Sequence, residues 1–124
     1  MSAGRGEATA ETVVLIPVLV LLVMVCVHVA AWHHAATVAT SVAARVAWAE
    51  ARYGAVPGEG ERRAVELAGD LDATLAAPIR VHHSPSTVRA EVAIAVPALV
   101  PGFPSTVWRQ ATAARERIVP PGQR

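Results

Sequence analysis

The chain has 124 residues, a formal net charge of +1, 53% hydrophobic residues and 17% charged residues. At this length one ordinary domain is the limit; mixed charge without a clustered basic face argues against a nucleic-acid binder, and a single cysteine excludes an internal disulfide framework. Ala (26) and Val (20) supply more than two thirds of the hydrophobic residues, all 11 basic residues are Arg, and the apolar residues are unevenly placed along the chain.

Val13 to Trp32 reads VVLIPVLVLLVMVCVHVAAW, and no Asp, Glu, Lys or Arg occurs from Thr12 through Ala44. Twenty helical residues span roughly 30 Å, the thickness of a bilayer's hydrocarbon core. One transmembrane helix is therefore expected. Pro17 near its start removes a backbone donor and marks a kink of the sort membrane helices tolerate. Trp32, His33 and His34 suit the far interface, where amphipathic rings settle. A cleaved secretory signal fits less well, because the apolar run is long and the preceding segment carries Arg5 against Glu7 and Glu11. A lipoprotein signal wants a small residue just before the cysteine, whereas Cys26 follows Val-Met-Val. The Arg distribution on the two flanks is nearly balanced, so charge alone does not orient the helix.

Ahead of the apolar run, residues 4 to 17 read GRGEATAETVVLIP. Glu11 stands at the membrane entrance, where an ionisable group is costly to bury and is a functional candidate. The plain alternative is a headgroup-zone carboxylate that favours the helix N-terminus through the dipole. The whole pattern resembles the processing site of type IV pilin-like proteins, and most of all the TadE-like family of tight-adherence pilus assembly proteins. The resemblance implies prepilin peptidase cleavage between Gly6 and Glu7, a glutamate (Glu11) at mature position five, and an early helix proline at Pro17. Glu7 as first mature residue departs from the aromatic or Met of major pilins, which points to a minor component. By the same resemblance the leader stays in the cytoplasm and the C-terminal part is exported from the cell membrane. Its expected partners are the membrane, the peptidase, other pilin-like subunits and assembly-platform proteins. Glu11 would pair in low dielectric with the liberated amino group of a staggered neighbour and so set register. The alternatives are an unprocessed single-pass protein binding another envelope component, and a secreted protein.

From Ala30 to Tyr53 no Gly or Pro interrupts an Ala-rich sequence, so the helix is expected from about Glu11 to Arg52, with its outer half projecting as a stalk. Ala31, Ala35, Ala39, Ala43 and Ala47 recur every fourth residue and form a ridge that permits close helix–helix approach. Val38, Val42, Val46 and Ala49 form a neighbouring stripe able to seat the rest of the chain. Arg45, Glu50 and Arg52 read as solvated charges.

Three Gly and a Pro make 54–60 a linker. Glu61 to Ala77 reads as a second helix ended by Pro78, with Ala64, Leu67, Ala68, Leu71 and Leu75 on one face to cover a small sheet. Ile79 to His83 alternates; Ser84 to Thr87 turns; Val88, Ala90, Val92, Ile94 and Val96 share one face of a strand. Pro97, Pro101, Gly102 and Pro104 make a loop before a third strand within Ser105 to Ile118. The expected class is α+β: a leader (1–6), a transmembrane and stalk helix (7–53), a linker (54–60), a small region of one helix and two or three antiparallel strands (61–119), and a frayed tail (120–124). Adjacent pairs His33–His34 and His82–His83 diverge, so no metal site is expected. No catalytic constellation, cofactor, nucleic acid or small-molecule substrate is indicated.

Overall fold

The computed structural model describes residues 2–52 and 56–116. Gly54 and Ala55 of the expected linker, Ile118 and the tail 120–124 lie outside the described residues. The class is α+β, in the order α1 (Ser2–Ala51), α2 (Glu59–Asp70), β1 (Arg80–His83), β2 (Thr87–Ala95) and β3 (Thr106–Ala114).

Helix α1 runs unbroken for 50 residues, with Pro17 inside it; at 1.5 Å per residue that is roughly 75 Å. It begins nine residues before the expected Glu11. Ala3, Ala8 and Ala10 favour helix strongly enough to carry the chain through Gly4 and Gly6. The N-terminal part is uncovered: Val13 to Val23 are all exposed. Beyond it, Ala35, Val38, Ala39, Val42, Ala43, Val46, Ala47 and Ala51 are buried. The alanine ridge and the three valines of the neighbouring stripe therefore lie in the chain's own core, with Ala31 packed at its margin and Ala49 half-buried outside it. The outer half of α1 is sheathed by the sheet rather than projecting bare.

The sheet is an antiparallel meander in the order β1-β2-β3. Val88 faces Ala113 and Ile94 faces Val107 across β2 and β3. Together with Ala90 and Val92 they are fully buried and join α1 in one apolar cluster. The strand face anticipated from sequence is buried throughout, including Val96, and Ala93 on the other face is buried as well.

Two expectations are corrected. Helix α2 stops at Asp70, well before Pro78. Ala73 N–H donates to the Ala68 carbonyl (2.8 Å) and Asp72 N–H to that of Gly69 (3.1 Å), while Asp72 takes a left-handed conformation, φ 53°. These two bonds satisfy the last carbonyls and turn the chain away. The next residues run extended beside β2: Leu75 bridges Ile94, and Ala95 N–H donates to the Thr74 carbonyl. Second, it is α1 that covers the sheet, and α2 packs on α1. The buried face of α2 is Gly60, Ala64 and Ala68, small residues at four-residue spacing that let two helices approach closely.

Candidate functional site

Gly6 and Glu7 lie within the helical run of α1, in its second turn. A glycine there weakens the helix by about 1 kcal/mol relative to alanine, which lowers the cost of opening it locally. Glu11 is exposed and nine residues from the helix start. That is beyond the first turn, where the helix dipole acts. In the intact chain the dipole therefore does not account for Glu11. Starting the chain at Glu7 would bring the new amino group of residue 7 and the orphan amide donors of residues 8 to 10 directly beneath it.

Pro17 deprives the Val13 carbonyl of its intrahelical donor, and α1 continues through it. Among the described residues, one helix is long and apolar enough to cross a membrane, with a mean hydropathy of 3.0 in its most apolar stretch. Its threonine hydroxyl at the entrance is internally satisfied: Thr12 Oγ1 donates to the Ala8 carbonyl at 2.8 Å.

The alanine ridge, read from sequence as a surface for another helix, is buried in this chain's own core at Ala35, Ala39, Ala43 and Ala47. Those side chains are spent internally.

Glu50 is a further correction. It is 8% exposed, not solvated. Its Oε1 accepts the amides of Gly58 and Gly60, both at 3.2 Å. Gly58 is the N-cap of α2 and has no side chain to offer. The usual local capping oxygen is thus supplied from the last turn of α1. A negative charge at that end also suits the α2 dipole. His83 Nε2 stands 3.9 Å from Glu50 Oε2, whereas His82 is directed to Glu91 at 3.8 Å. The two histidines diverge as adjacent strand residues must. Among the described residues no group of three or more His, Cys, Asp or Glu converges as a metal site requires. The one sequence hint of the Glu50 contact was the start of α2, VPGEGE, which lacks a Ser, Thr, Asn or Asp cap.

His28 was also missed. It lies in the apolar run but is 2% exposed, and neither ring nitrogen has a hydrogen-bond partner. Its ring meets the Phe103 ring edge-on, with centroids 5.2 Å apart. Val29, Trp32 and Pro104 complete this apolar contact between α1 and the β2–β3 loop.

On the opposite side, α1 and α2 bound an open cleft where Arg45, Arg52 and Arg63 stand beside Trp48. Arg63 is engaged by Glu59 at 2.6 Å, within α2.

These features make a helix long and apolar enough to cross a membrane that carries its own small α+β body. No curated protein and no solved structure matches the chain. Residues 6–48, from Gly6 through most of α1, match the family model described as TadE-like protein.

Proposed function

We propose that the protein is a minor pseudopilin-like component of tight-adherence pilus assembly, with a structural rather than enzymatic role. The observation that carries this reading is the TadE-like match over 6–48, which begins at the glycine of the GRGEATAE motif. The exposed apolar wall of α1 supports it, since such a surface is stable only in lipid or against other helices.

In this reading residues 1–6 are a cytoplasmic leader, and a prepilin peptidase cuts between Gly6 and Glu7. The chain stays in the cell membrane as a single-pass protein, and the α+β body lies outside. The new amino group and Glu11 lie one helical turn apart on the same chain. An axially staggered neighbour, or another pilin-like subunit, presents its terminus to Glu11. In low dielectric that pair is strong when correctly aligned and leaves a costly unpaired charge when not, so it selects register. Assembly-platform proteins are the remaining partners.

Mass spectrometry of the native chain's amino terminus tests the proposal. A mature terminus at Glu7 is the expected result. A terminus at Met1 or Ser2 in the functioning protein refutes the processing step and leaves an unprocessed envelope protein. A start beyond about Ala36 identifies a cleaved signal.

A further inference from the structure

The β2–β3 loop, residues 97–105, reads PALVPGFPS, and from Val92 to Trp108 the chain carries no charge. Val100 is buried, but Leu99 and Phe103 are 37% and 47% exposed. Two exposed large apolar side chains on one short loop are unusual in a water-facing turn, where polar residues predominate.

Its position along α1 explains them. About twenty helical residues cross the hydrocarbon. Whether that stretch starts at Glu7 or just after Glu11, its far edge falls between Cys26 and Ala31. Tilt moves the edge further along the helix, never back. The loop meets α1 at His28 and Trp32, within this same zone. Val27 and Val29, on α1 beside the contact, are exposed as well. The exposed apolar surface of the loop is thus continuous with that of the membrane-spanning helix.

The loop's backbone suits such a place. Pro97, Pro101 and Pro104 have no N–H to satisfy. Leu99 N–H donates to the Pro97 carbonyl (2.9 Å), and Phe103 N–H to that of Val100 (3.4 Å). Gly102, at φ 85°, makes the turn that returns the chain toward Phe103. Irregular backbone is excluded from the hydrocarbon itself but tolerated at the headgroup boundary, and less of it needs water here.

We infer that the β2–β3 loop is a membrane-interface foot: Leu99 and Phe103 insert among the lipid headgroups and upper acyl chains of the leaflet at the outer end of α1's span. The ligand is the lipid surface. Phe103 also lids His28, the one polar ring of the apolar run, so that an imidazole without partners is screened from lipid by protein. The body is thereby held against the bilayer at two points, the helix and the foot. This rests on α1 crossing a membrane and not on any role in pilus assembly.

The test uses the full chain in vesicles of phosphatidylcholine and phosphatidylglycerol carrying nitroxide-labelled lipid. An environment-sensitive fluorophore is attached to Cys26 in the unaltered chain, and to Leu99→Cys or Thr112→Cys in a Cys26→Ala background. Thr112 is exposed on the outer sheet face and serves as the water-facing reference. The expected result is quenching of the Leu99 label by shallow nitroxide lipid several-fold above that of the Thr112 label, with correspondingly weaker quenching by iodide. A Leu99 label as open to iodide as Thr112, while the Cys26 label is lipid-quenched, overturns the foot and leaves the span intact. A Leu99 label shielded from both quenchers also overturns it, because a protein then covers the loop. A Cys26 label that stays in water removes the span on which the inference stands.

Discussion

The carboxylate of Glu50, on the last turn of α1, accepts the backbone amide of Gly60, in the first turn of α2, at 3.2 Å. The same oxygen accepts the Gly58 amide, so one side chain serves two amides at a helix start that has no capping side chain. This contact pins α2 to α1 across a connection that includes residues outside the described part of the chain.

Glu50→Ala should leave the amides of Gly58 and Gly60 without partners and loosen α2. Each lost charge-assisted bond is worth about 1.5–3 kcal/mol at most in a buried setting. Faster hydrogen exchange in α2, with the span of α1 unaffected, is the expected outcome. Glu50→Gln keeps one acceptor oxygen and should lose less. Equal protection in all three chains would remove the capping role.

Gly60 is required for space, and Gly69 is not. A Cβ at Gly60 would lie 3.0 Å from Glu50 Cγ and 3.2 Å from the Val46 carbonyl oxygen, which is backbone and cannot swing aside. Gly60→Ala should therefore cost about 1–3 kcal/mol through overpacking. At Gly69 an added Cβ meets nothing within 4 Å. Gly69→Ala should stabilise α2 by about 0.5–1 kcal/mol through helix propensity. Urea midpoints in detergent micelles moving in opposite directions would bear this out.

The alanine ridge gives a second steric test. Ala39 is fully buried in the chain's apolar core. Ala39→Leu should destabilise the α+β body by about 1–3 kcal/mol, and Ile94→Ala on the facing strand by about 2–5 kcal/mol. If the ridge served chiefly as a contact between chains, Ala39→Leu would change self-association and leave the urea midpoint in place.

In the proposed reading, processing depends on Gly6 and assembly on Glu11, and substitutions separate the two. Gly6→Leu should block the cut, read as a retained Met1 or Ser2 terminus and slower mobility; a terminus and mobility unchanged from the parent chain would contradict the cut site. Glu11→Ala should leave membrane insertion intact and sharply reduce co-purification with partner subunits. Normal incorporation of the Glu11→Ala chain would contradict a register function for that carboxylate.

Much of this architecture is legible along the chain because it depends on local spacing. The run from Thr12 through Ala44 without a charge makes α1 an apolar helix whatever surrounds it, since backbone bonding within the helix is self-contained. Val88, Ala90, Val92 and Ile94 alternate, and alternation alone assigns them to one face. The valine stripe at Val38, Val42 and Val46 also reads as a seat for the rest of the chain, and it is one; the alanine ridge announces only close packing, and what it packs into is the chain's own core. The end of α2 at Asp70 depends on a left-handed turn at Asp72 that competes with an otherwise good helical pattern. Glu50 passes for a surface acid until Gly58 and Gly60, eight and ten residues on, are folded back against it. His28 passes for one ring in a membrane run until Phe103, from a loop between two distant strands, closes over it. Periodicity describes which way each side chain points within its own element; only the tertiary fold brings the partner that gives the direction its meaning.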